Sequence, residues 1–180
     1  MRIFIGVPLS AAVIHELAAI SQRLRPAAAG VRWTAPESWH ITLQFLGNAL
    51  PEQYQSVVAQ LSGIHLPPVP VKVDGLGLFD RAGIFYAGVK VSPELLQLQK
   101  RVVQATAICE FVPETRPYQP HITLARIKDR RSGLNDLKSK MPQRPNFTGF
   151  AAEEFILYES FLSAEGSRYE VRNRFSLDGR

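Results

Sequence analysis

The tightest constraint on how this 180-residue chain can fold is a strand that occurs twice. Trp39-His40-Ile41-Thr42-Leu43 returns as Pro120-His121-Ile122-Thr123-Leu124, with His121 81 residues after His40 and Thr123 81 residues after Thr42. Both runs are β-prone, and successive side chains on a strand face opposite ways. Each copy therefore turns an imidazole and a hydroxyl to one face. Ile41 and Leu43, like Ile122 and Leu124, turn back into a core. Two such walls imply a cleft between them.

The duplication extends beyond the two strands. Ile3-Phe4-Ile5-Gly6-Val7 aligns at the same offset with Ile84-Phe85-Tyr86-Ala87-Gly88. A helix-start signal follows in each copy, Pro8-Leu9-Ser10 in the first and Ser92-Pro93-Glu94 in the second. Then come an apolar-periodic segment and the His-x-Thr strand. Each half reads strand, helix, strand, so the expected fold is α+β. Its architecture is two pseudo-symmetric lobes of antiparallel sheet, helices outside, around a central cleft. The repeats span approximately residues 1–65 and 82–146 of one domain, and strands within 154–177 complete one lobe.

Periodicity supplies the remaining elements. A helix is expected from Ser10 to about Leu24, with Val13, Leu17, Ile20 and Leu24 on its buried stripe. Pro26 to Gly30 reads as a loop and Val31-Arg32-Trp33 as a short strand. Pro51 opens a second helix whose inward residues are Tyr54, Val57, Val58 and Leu61. Leu66-Pro67-Pro68-Val69-Pro70 is a stiff extended link between lobes. Residues 71–78 and 84–91 form a hairpin around Asp80-Arg81-Ala82-Gly83. The longest helix runs from Ser92 to about Glu110, burying Leu95, Leu98, Val102 and Ala105. A short helix over Asn135 to Met141 precedes an antiparallel pair, 154–161 with 169–177, turning at Glu165-Gly166.

A net charge of +5 favours an anionic partner such as nucleic acid or a nucleotide. Arg126 to Arg131 holds four basic residues in six positions, either a solvated turn or a phosphate-attracting rim. The single cysteine, Cys109, excludes an internal disulfide and a cysteine-based zinc site, and reads as a small core residue. The N-terminal apolar run is too short for a signal peptide, and no stretch is long enough to span a membrane. A cytoplasmic monomer without membrane association is expected.

Two histidines across a cleft suit displacement at phosphorus. Imidazole titrates near neutrality, so one ring can accept a proton while the other donates one. The hydroxyls of Thr42 and Thr123 can donate to non-bridging phosphate oxygens, and the guanidinium of Arg126 can bind two of them at once. Neither histidine has an acidic residue or cysteine at metal-site spacing, so no cofactor and no metal are expected. His15 and His65 read as surface residues. Phe4, Phe85, Trp33 and above all Tyr118 are candidate nucleobase platforms, and Arg116 a candidate backbone contact.

Together, the paired His-Ile-Thr-Leu motifs, Arg2-Ile3-Phe4-Ile5, Phe155-Ile156-Leu157-Tyr158 and the run Arg116-Pro117-Tyr118-Gln119-Pro120-His121-Ile122-Thr123-Leu124-Ala125-Arg126 resemble the two-histidine (2H) phosphoesterase superfamily. Within it the chain is most similar to RNA 2′,3′-cyclic phosphodiesterases, once named 2′-5′ RNA ligases. The resemblance implies hydrolysis of an RNA 2′,3′-cyclic phosphate to a 2′-phosphomonoester. It also implies His40 as proton donor to the leaving 3′ oxygen and His121 as the base activating water. The residues themselves leave that order open. The substrates expected are RNA ends or nucleotides carrying a 2′,3′-cyclic phosphate. Two alternatives stand beside this reading: 2′-5′ joining through the cyclic phosphate, and a non-catalytic RNA-binding module.

Overall fold

A computed structural model describes residues 1–28, 30–128, 133–143, 145–163 and 166–179. The apolar run at the start forms β1 (Arg2–Pro8), which buries Ile3, Ile5 and Val7. Ser10 then accepts from the Val13 amide at 3.3 Å and so caps α1 (Ala11–Leu24). Its buried side chains are Val13, Leu17, Ser21 and Leu24; Ile20, expected on that stripe, is half-buried. After a 3₁₀ turn come β2 (Val31–Trp33) and β3 (His40–Asn48). Pro51 opens α2 (Pro51–Ser62), which buries Val57 and Leu61 and leaves Tyr54 and Val58 half-buried.

The proline-rich segment does more than link. Its end enters β4 (Val69–Val71), which pairs with β8 (Phe150–Ala152) in a two-stranded sheet. Val71 therefore leaves the expected hairpin, whose strands are β5 (Val73–Phe79) and β6 (Ile84–Val89). Ser92 caps α3 (Pro93–Ala107) by accepting from the Leu95 amide at 3.1 Å. That helix ends three residues before Glu110, which adopts φ 67° and turns the chain out of helical geometry. Cys109 is buried in this turn rather than in the helix. β7 (His121–Ile127), α4 (Gly133–Lys140), β9 (Glu154–Ser163) and β10 (Gly166–Ser176) complete the chain. Asp129 to Arg131 of the basic run, and Glu165 of the last turn, lie outside the described residues.

Two four-stranded antiparallel sheets carry the lobes, ordered β10-β9-β1-β3 and β2-β7-β6-β5. The final strands join the first lobe because β9 pairs with β1. β2 crosses over: it follows α1 in sequence yet pairs with β7, placing Arg32 opposite Arg126. The helices bury apolar stripes, Leu95, Leu98, Val102 and Ala105 on α3 among them, and leave their polar faces outward. Among the described residues no helix is long and apolar enough to cross a membrane.

The pairing register corrects the alignment of the two copies. Pro8 and Gly6 lie opposite His40 and Thr42, whereas Gly88 and Tyr86 lie opposite His121 and Thr123. The first strands are thus equivalent at an offset of 80, because 88 − 8 = 80 and 86 − 6 = 80. The His-x-Thr strands keep 81. Because side chains alternate, one residue of slip exchanges the two faces. Phe85 is therefore the counterpart of buried Ile5 and belongs to the core, while the counterpart of Phe4 is Ile84.

Both sheets also break register at the same place, between Ile5 and Gly6 in one and between Phe85 and Tyr86 in the other. The extra residue falls just after the threonine, so Leu43-Gln44 and Leu124-Ala125 are buried as consecutive pairs. Beyond each bulge the facing is reset. Phe45 and Arg126, each five residues after its histidine, consequently emerge on the cleft side.

Candidate active site

The two sheets enclose a cleft of about 1560 Å³, large beside the roughly 300–1,000 Å³ of a site for one small ligand. His40, Thr42, His121, Thr123 and Arg126 all line it. The folded chain therefore brings together all five residues expected from the sequence to serve catalysis and phosphate binding.

Each histidine is oriented by the backbone just before its strand. The Nδ1 of His40 donates to the Ser38 carbonyl at 2.8 Å, and the Nδ1 of His121 donates to the Gln119 carbonyl at 2.9 Å. A ring that gives its Nδ1 proton to a carbonyl keeps Nε2 for chemistry. The Nε2 of His40 also lies 3.1 Å from the Thr42 hydroxyl, the contact that the two-residue spacing on one strand face makes possible. In the stretch between α3 and β7, Tyr118 donates its hydroxyl to the Thr42 carbonyl at 3.0 Å and so ties the approach to the second His-x-Thr strand to the first. Burial raises the Tyr118 pKa well above the ordinary phenol value, which keeps it a neutral donor.

The two rings differ in their surroundings. His40 packs against Phe4 at 4.7 Å, Tyr169 at 5.2 Å and Tyr158 at 5.7 Å between ring centroids. Burial among these rings disfavours the imidazolium and lowers the His40 pKa from 6.5 to about 4. The Ser38 carbonyl opposes that shift and nearby His121 adds to it. Among the described residues, His121 has two aromatic neighbours, Phe79 at 5.1 Å and Tyr86 at 5.7 Å, both edge-on.

Several candidates have other occupations. Phe4 and Phe85 are buried and offer no face to a base. Trp33 is half-buried with its edge toward Phe85 at 5.9 Å. Arg116 lines the cleft but pairs with Glu114 on the surface. His15 and His65 are exposed. That Phe79, Tyr86, Tyr158 and Tyr169 stand beside the histidines was not read from the sequence, since they come from four different strands. The chance to find Tyr86 lay in the repeat itself, and a one-residue offset hid it. Phe45 was missed as well; it is 68% exposed, and the bulge alone decides that it faces the cleft.

The LigT-like phosphoesterase family model matches this chain twice, over residues 7–86 and 89–169. The chain belongs to the LigT-like phosphoesterase family. This LigT-like chain is similar to an RNA 2′,3′-cyclic phosphodiesterase of Aquifex aeolicus, 30% identical over 99% of this chain and 98% of the relative. A protein of the same name from Archaeoglobus fulgidus is 27% identical over 94% of this chain and 97% of its own length. Among solved structures, Escherichia coli LigT complexed with 3′-AMP matches with a TM-score of 0.83 and 26% identity, covering 98% of this chain and 97% of that one. The α+β architecture with duplicated lobes is thus that of LigT-like phosphoesterases.

Proposed function

We propose that the cleft hydrolyses RNA 2′,3′-cyclic phosphodiester ends to 2′-phosphomonoesters by two-histidine acid–base catalysis. The observation that carries this reading is the matched pair of imidazoles in one cleft, each held through Nδ1 by a carbonyl two residues upstream. Relatives of this LigT-like chain carry that activity in their names, and the E. coli LigT structure holds a nucleotide.

In this mechanism Thr42, Thr123 and Arg126 hold the non-bridging oxygens of the cyclic phosphate. His121 Nε2 takes a proton from water, and the water oxygen bonds to phosphorus. The bond from phosphorus to the 3′ oxygen breaks as His40 Nε2 delivers a proton to that oxygen. The product keeps the phosphate on the 2′ oxygen. No step requires a metal ion: the hydroxyl and guanidinium donors stabilise the added negative charge. Burial among its aromatic neighbours lowers the His40 pKa to about 4, which favours the neutral ring at neutral pH. Its acid role therefore depends on the bound phosphate anion, whose charge favours the imidazolium.

The deciding experiment is turnover of an oligonucleotide ending in a 2′,3′-cyclic phosphate, in EDTA, beside His40→Ala and His121→Ala. A 2′-phosphate product, lost in both variants, supports the mechanism. Activity that needs added metal, or that survives both substitutions, overturns it. Undiminished RNA binding without turnover by the parent would favour a binding module.

A further inference from the structure

Arg32 and Arg126 stand directly opposite each other on β2 and β7. Directly opposed residues of antiparallel strands project to the same face with neighbouring β-carbons, and like charges placed so are destabilising. Both side chains line the cleft. Among the described residues, neither guanidinium makes a hydrogen bond or an ion pair that would relieve the other. Asp80, a carboxylate on the same cleft wall, is engaged by Lys138 at 2.8 Å. The arrangement exists only because β2 crosses from the first copy to the edge of the second lobe's sheet. The place equivalent to Arg126 in the first lobe holds Phe45, so among the described residues this opposed arginine pair has no counterpart in the first lobe.

A cyclic phosphodiester carries one negative charge, which Arg126 matches. The next negative charge along an RNA strand is the phosphodiester on the 5′ oxygen of the terminal nucleotide. We infer that Arg32 binds this second phosphate, and that the cleft thereby selects the end of a polynucleotide over a free nucleoside 2′,3′-cyclic phosphate. The inference rests on the reaction proposed above and names its substrate class. Arginine fits the task because its planar fork grips a phosphate through two parallel hydrogen bonds.

The test compares adenosine 2′,3′-cyclic phosphate with and without a 5′-phosphate, using the parent, Arg32→Gln and Arg32→Lys. The parent is expected to favour the 5′-phosphorylated substrate by about 10-fold or more in kcat/KM, the size of one charge-assisted contact. Arg32→Gln should bring the two substrates within about threefold, and Arg32→Lys should restore part of the preference. On an oligonucleotide, the slope of log kcat/KM against log salt should become shallower by about 1 in Arg32→Gln. Its melting temperature should hold or rise, because a like-charge pair is removed; a merely structural arginine would lower it.

The absence of a 5′-phosphate preference in the parent overturns the inference. So does an equal loss on both substrates in Arg32→Gln, which would place Arg32 on the cyclic phosphate itself. If the parent turns over neither substrate, binding of adenosine 3′,5′-bisphosphate against adenosine 3′-phosphate decides. A preference for the bisphosphate that Arg32→Gln removes keeps the second-phosphate site and fells the proposed reaction. No preference fells the site too.

Discussion

Gly6 lies against His40 so closely that a β-carbon there would stand 3.2 Å from the imidazole Cδ2 and 2.9 Å from the Ile41 carbonyl oxygen. The second lobe has Tyr86 at the equivalent position, with its ring edge-on to His121. A glycine on one side and a tyrosine on the other let two copies of one motif hold their histidines differently.

Gly6→Ala should therefore displace the His40 ring and strain β1 against β3. The expected cost is about 1–3 kcal/mol of stability, the usual size of an overpacked contact. Because positioning is lost as well, kcat should fall more than KM rises. Denaturant unfolding and steady-state kinetics read the two effects; unchanged kcat would show that the ring has room to move.

Replacing either histidine by alanine should lower kcat by about 10²- to 10⁴-fold, the usual worth of one general acid or base. The double variant should lose little beyond the worse single one, since one proton-transfer cycle needs both rings. Single-turnover kinetics on a cyclic-phosphate oligonucleotide checks this. Fully multiplicative losses would contradict a shared step.

The low pKa of His40 also sets a pH dependence of stability. The unfolded chain protonates this residue near pH 6.5 and the folded chain only near pH 4, so between them the unfolded state binds more protons. The stability contribution is full above about pH 6.5 and is lost as the pH falls towards 4, by at most about 3 kcal/mol. Urea unfolding across this window, compared with His40→Gln, should show a shallower acid-side decline in the variant. Equal slopes would mean that the ring is not desolvated.

At the cleft wall, the Thr106 hydroxyl donates to the side-chain carbonyl of Gln44, a lining residue, at 2.7 Å, and both residues are buried. Thr106→Val leaves that carbonyl without its donor and should cost about 1–3 kcal/mol. Adding Gln44→Met should return part of the loss, because the orphaned group goes with it. A double variant as unstable as the sum of the singles would show that the bond contributes nothing.

What could be read from the sequence was local. Ser10 and Ser92 announced their helices because a serine before an apolar-periodic run satisfies free amides wherever it occurs. The shared face of His40 and Thr42, and of His121 and Thr123, followed from the pleat, and with it came the candidate site and the two-lobed architecture. The one-residue slip between the copies was not legible, since a bulge is specified by the partner strand as much as by the bulged one. That slip decides that Phe85 is core and that Tyr86 stands beside His121. Tertiary structure alone carried β2 across to β7 and set Arg32 beside Arg126. It also closed Phe4, Tyr158 and Tyr169 around His40. Strand pairing and desolvation join residues far apart in the chain, and no local pattern encodes which strand will be the neighbour.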